Sequence, residues 1–204
     1  MSFETWLAFT VASAVLVAIP GPTVLLVVSF ALGQGRRTAW ATVPGVALGD
    51  LFAMVVSLAG AGAILAASAT AFTALKLLGA LYLIWLGIGL LRSAPRTFEA
   101  QPATGRRLFR NSFTVTLLNP KGIVFFIAFV PQFIDANGPL LAQTAILIAT
   151  FVTMGAINAT LWAIAAGTMR DRLASIRAQR NIARVGGSFL IFAGMVTALT
   201  RRVA

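Results

Sequence analysis

VASAVLVAIPGPTVLLVVSFA, residues 11–31, is apolar almost throughout and is broken once, by Pro20-Gly21-Pro22. No charged side chain falls between Glu4 and Arg36. That run exceeds the roughly 20 residues needed to cross a bilayer core, while its two prolines remove backbone donors from the middle. In hydrocarbon, the carbonyls so freed are tolerated only where protein or a watery cavity meets them. The stretch therefore reads as a membrane helix with an interruption that something polar must satisfy.

Outward from it the same composition continues. Of the 204 residues, 59% are hydrophobic and 10% charged, with a mean hydropathy of +0.92; soluble domains are about half apolar. Candidate spans fall at 6–32, 40–65, 71–91, 112–134, 140–167 and 185–200. The expected fold is all-α, a single polytopic membrane domain over 1–204 with six transmembrane helices. The leader Met1-Ser2-Phe3-Glu4 has no basic residue and the apolar run behind it outlasts a signal h-region, so the first span is expected to be retained. Net charge is +11, but the arginines sit in short clusters between apolar segments. That is the pattern of loops facing anionic lipid, not of a nucleic-acid surface. The chain has no Cys and no His, which excludes disulfides, thiolate chemistry, His-ligated metals and haem; no cofactor is expected.

Orientation follows from the basic residues of the short loops. Arg36 and Arg37 follow the first span, Arg92, Arg96, Arg106, Arg107 and Arg110 the third, and Arg170, Arg172, Arg177, Arg180 and Arg184 the fifth. The second and fourth loops carry none, and Asp135 lies in the fourth. Both termini are thus expected on the outer, periplasmic side, with only Arg201 and Arg202 counting against it.

Three spans per half place tandem copies in the membrane from opposite faces, an inverted repeat typical of transporters. The first span breaks at Pro20-Gly21-Pro22 and the fourth at Asn119-Pro120-Lys121-Gly122; the second then carries Gly45 to Asp50 and the fifth Gly155-Ala156-Ile157-Asn158. Half-repeats of 1–95 and 106–204 are expected, with broken first and fourth helices. At ~1.5 Å per residue, Asp50, Lys121 and Asn158 each lie roughly 15 to 18 Å deep, near the middle of a ~30 Å core.

A single proline can merely kink a membrane helix, and the Gly45/Gly49 face or the Gly186-Gly187 pair can mean helix packing, within the chain or in a homodimer. Asn158 can serve as an interhelical hydrogen-bond partner. Asp50 is different, being the only carboxylate deep in a span, where an unpaired charge is costly and points to function. Lys121 either pairs with Asp50 or faces a substrate carboxylate. Lys76, near the outer end of the third span, reads as a snorkelling lysine, and Arg170 to Arg184 as a short basic interfacial segment.

The Pro20-Gly21-Pro22 break, Gly49-Asp50 in the second span, the Asn119-Pro120-Lys121 break in the fourth, the length near 200 residues and the basic third loop together resemble the LysE/RhtB family of amino-acid exporters. The resemblance covers the whole chain. It implies export of amino acids or close derivatives, such as homoserine, its lactone or threonine, across the bacterial inner membrane, driven by the proton gradient. With such a substrate, the half-helix N-termini at the breaks and Lys121 would meet its carboxylate, and freed carbonyls with Asn158 its ammonium. Asp50 would carry the coupling proton. An intramembrane aspartyl protease, suggested by Gly49-Asp50, lacks the second deep carboxylate its chemistry requires, since Glu4, Glu99, Asp135 and Asp171 fall in loops or ends. A non-transporting membrane scaffold or regulatory subunit is the alternative, and paired breaks with mid-membrane charges argue against it.

Overall fold

Long apolar segments must satisfy their own backbone polar groups in lipid, which leaves the helix as the economical form. The computed structural model describes residues 1–92, 103–135, 137–168 and 176–199, and among these there is no strand. The helices are α1 (Phe3–Ala18), α2 (Pro22–Gln34), α3 (Ala39–Ala67), α4 (Ala69–Arg92), α5 (Gly105–Leu117), α6 (Pro120–Val124), α7 (Leu140–Thr168) and α8 (Ile176–Leu199). Arg96, Glu99, Arg170, Asp171, Arg172, Arg201 and Arg202 lie outside the described residues.

The Pro20 interruption is present, and α1 and α2 meet at 51° across it. Gly35, at φ +79°, ends α2 in a conformation that favours glycine. After α6 the chain continues through a π-helical turn, Phe125–Phe129, and a 3₁₀ turn, Val130–Phe133, where Pro131 supplies no backbone donor. Arg36–Ile64, Gly105–Phe133 and Leu140–Ala166 are each long and apolar enough to cross a membrane, and the bent pair α1–α2 makes a fourth such segment. The apolar stretches of α4 and α8 are shorter, Thr73–Gly89 and Gly187–Leu199.

Two helices start earlier than their apolar runs suggest. α5 begins at Gly105, not near 112, and α8 at Ile176, not near 185, so Arg177, Arg180 and Arg184 belong to the first turns of α8. Arginine is a good helix former, and no proline or glycine stands between Ile176 and Val185 to stop the helix.

Glycines set the closest helix approaches. A Cβ on Gly45 would come 2.6 Å from Phe109 O, and one on Gly49 2.7 Å from Thr116 Cβ, which fixes α3 against α5. A Cβ on Gly87 would lie 2.6 Å from Gly187 O, and one on Gly194 2.6 Å from Ala80 O, which fixes α4 against α8. The glycine faces at Gly45/Gly49 and Gly187 are therefore consumed inside one chain and are not left open to a second copy.

Two cores result. Phe9, Phe125, Phe126, Phe129 and Phe151 are buried together, with Phe133 packed against them. Around α2, α3 and α7 the core is instead built of small side chains, among them Val24, Val27, Val46, Ala159 and Ala163. Trp6 Nε1 donates to Thr150 Oγ1 at 3.1 Å and ties α1 to α7. Only 22% of the most apolar part of α7 is buried within the chain, and Val56, Leu78, Leu81 and Leu161 stand exposed. An apolar surface of that extent is a lipid-facing one; this is a membrane protein.

Candidate functional site

Pro20 has no N–H, so the Leu16 carbonyl lacks its helical donor. Ile19 N–H still reaches Val15 O at 3.3 Å, closing α1. Pro22 opens α2 at a first-turn position where a missing donor is harmless. In the other broken span, Asn119 caps α6 by accepting the Lys121 N–H on Oδ1 at 3.2 Å, with Pro120 at the first helical position.

The two breaks touch. Lys121 Nζ donates to Leu16 O at 3.0 Å and to Ile19 O at 2.9 Å. Thr23 Oγ1 accepts from Asn119 Nδ2 at 3.3 Å and from Thr116 Oγ1 at 3.2 Å. Asn158, arriving on α7, donates Nδ2 to Val17 O at 2.9 Å. Carbonyls released at the end of α1 are thus met by side chains from the second half of the chain. Gly21 leaves the lysine its space, since a Cβ there would already touch Lys121 Cε and Nζ at 3.4 Å.

Asp50 stands on α3 opposite Gly155 of α7, where a Cβ would come 2.5 Å from its Oδ2. Glycine at 155 is what admits the carboxylate. Asp50 and Lys121 face one cavity and interact electrostatically across it, but Asp50 makes no hydrogen bond or ion pair with another described residue. The hydrogen bonds of Lys121 Nζ go to main-chain oxygens and not to Asp50.

That cavity measures about 40 Å³. Gly21, Asp50, Asn119, Lys121 and Asn158 line it, whereas Pro20, Pro22 and Pro120 shape the breaks without lining it. Thr23, Leu16 and Val17, which also line it, and Thr116 and the Ile19 carbonyl, which are hydrogen-bonded to Thr23 and Lys121, were not legible in the sequence. The one available signal was a threonine directly behind each break's polar turn or one turn ahead of it, and that is common in ordinary membrane helices. Among the described residues no cluster of acids has the makings of a metal site. What the arrangement offers is both signs of charge, a carboxylate and an ammonium, at one level between interrupted helices.

The family described as LysE type translocator matches residues 14–201. The homoserine/homoserine lactone efflux protein of Salmonella typhi is 33% identical over 98% of this chain and 99% of its own. An uncharacterized membrane protein of Vibrio cholerae is 32% identical over 98% of this chain and all of its own length (100%). The leucine efflux protein of Klebsiella pneumoniae is 26% identical, covering 95% of this chain and 93% of that one. No solved structure matches the chain. With a family match over nearly its full length and relatives aligned end to end, the chain belongs to the LysE family of membrane translocators.

Proposed function

We propose that the protein exports amino acids or close derivatives, with homoserine, its lactone, threonine and leucine as candidates, across the bacterial inner membrane in exchange for protons. The observation that carries this reading is the meeting of two interrupted spans at a cavity lined by Asp50 and Lys121. The names of the Salmonella and Klebsiella relatives support the substrate class.

In this reading the chain is one domain of six spans, formed by α1–α2, α3, α4, α5 through Phe133, α7 and α8, with half-repeats 1–95 and 106–204. Support comes from α2 and α6, which both start with proline at the first helical position. It comes also from the packing of α3 on α7 and of α4 on α8, the pairs that a half-turn axis in the membrane plane would bring together. Both termini are periplasmic on the charge distribution of the loops.

An amino-acid substrate, zwitterionic at neutral pH, is held by its two ends. α2 has no side-chain cap, so its first N–H groups are open to a carboxylate at the positive end of the helix dipole. Lys121 adds charge on that side. Asn158 and the carbonyls it and Lys121 now cover receive the ammonium. Asp50 takes up a proton from the periplasm, turns inward with it, and releases it to the cytoplasm before substrate binds. One charge moving through the field contributes ~2.3 kcal/mol per 100 mV, enough to concentrate a solute outside.

The test is efflux from whole cells loaded with labelled amino acids. Cells producing the protein should lose homoserine, threonine or leucine faster than cells without it. Equal rates for every amino acid and lactone tried would leave a non-transporting membrane scaffold as the better reading.

A further inference from the structure

A buried ammonium with three N–H groups needs acceptors on most of them. Lys121 finds two, Leu16 O and Ile19 O, at the carboxyl end of α1, where the helix dipole is negative. Asp50 lines the same cavity and has no hydrogen-bonded partner among the described residues. A lysine present only to neutralise that carboxylate would sit on it. This one occupies the carbonyls instead, against the bare Cα of Gly21.

We propose that the carboxyl end of α1 is a primary-ammonium site, filled by the side chain of Lys121 and yielded to the ammonium group of the transported molecule. The identity of the incoming molecule rests on the transport reading; the site itself does not. Lys121 is itself part of the cavity wall, so the group that occupies the acceptors also takes up space beside them that a substrate would use. Displacement frees both together. The released ammonium then has an anion within reach, either Asp50 or the substrate's own carboxylate. When substrate leaves, Lys121 returns, and the Leu16 and Ile19 carbonyls are never bare in the empty protein. The carrier can therefore reorient without cargo, as net export demands.

Chemical complementation tests the site without any transport assay. In full-length Lys121→Ala protein in detergent, the atoms removed correspond to n-propylammonium. Added in large excess, propylammonium should raise the thermal midpoint of the variant by about 5 °C and leave the wild type unmoved. Tetramethylammonium, equally charged but without N–H, should do nothing to either. A rise with both cations, a rise in both proteins, or no rise in the variant overturns the proposal. Should Lys121→Ala not accumulate, wild-type vesicles supply the second measurement, using the labelled amino acid they release fastest. Its methyl ester, which keeps the ammonium, should compete for release, and its des-amino acid should not. Competition by the des-amino acid equal to that of the ester overturns displacement at this site. Vesicles that release no amino acid at all refute the transport reading and, with it, displacement of Lys121 by a transported molecule.

Discussion

At the level of single residues, Asp50 combines a carboxylate, a place in a span and a glycine opposite it, and that combination defines its test. Asp50→Asn protein should still insert, because a neutral amide is cheaper in the membrane than a carboxylate. It should also still exchange amino acid across vesicles lacking a proton gradient. Accumulation against a gradient should be lost, and retention of gradient-driven accumulation at the wild-type rate would remove Asp50 from coupling. The charged and amide members of the site were legible because such side chains are rare and expensive at that depth. Thr23 and Thr116 were not, since a hydroxyl inside an apolar run usually serves its own helix, as Ser29 does by donating to Leu25 O at 2.8 Å. Lys121 stands in the break that Pro120 marks, yet its partners are main-chain oxygens whose availability depends on where α1 stops, and no residue identity encodes that.

At the level of helices, the α3–α5 contact makes a graded prediction. Gly45→Ala places a methyl 2.6 Å from the Phe109 carbonyl, a backbone atom that cannot swing aside, and should cost about 1–3 kcal/mol. Gly60→Ala, in the same helix, meets nothing within 4 Å and should be neutral or stabilising by up to ~1 kcal/mol. Thermal unfolding of the two purified variants checks this; equal midpoints would mean that α3 and α5 do not approach as closely as described. Proline made both interruptions readable in advance. α5 and α8 begin ahead of their apolar runs, because charge marks the edge of the apolar region and not the edge of the helix. Gly45 with Gly49 announced a close helix contact, but the partner, α5 of the same chain, depends on tertiary arrangement that the glycine spacing does not specify.

For the whole molecule the outstanding prediction is orientation. A reporter active only in the periplasm, fused after Ala204, should be active, and activity of a cytoplasmic reporter alone at that position would reverse the arrangement. All-helical membrane architecture was readable from hydropathy, since 59% hydrophobic residues cannot be hidden in a chain of this size. How the two halves interlock was not. The aromatic core gathers Phe9 from α1, Phe125 and Phe129 from the π-helical turn and Phe151 from α7, and no local period in the chain relates those positions.

The bonds from Lys121 to Leu16 and Ile19 join residues 105 and 102 positions apart, and this has a consequence for how the protein is made. At ~5–20 residues per second, the ribosome needs about 5 to 20 s to deliver Lys121 after Ile19 has emerged. For that interval the first span carries carbonyls with no donor from the chain, so it should linger at the insertion machinery or its watery edge until the fourth span arrives. Nascent chains stalled before residue 121 should accordingly crosslink to the translocon through their first span, and those released after it should not.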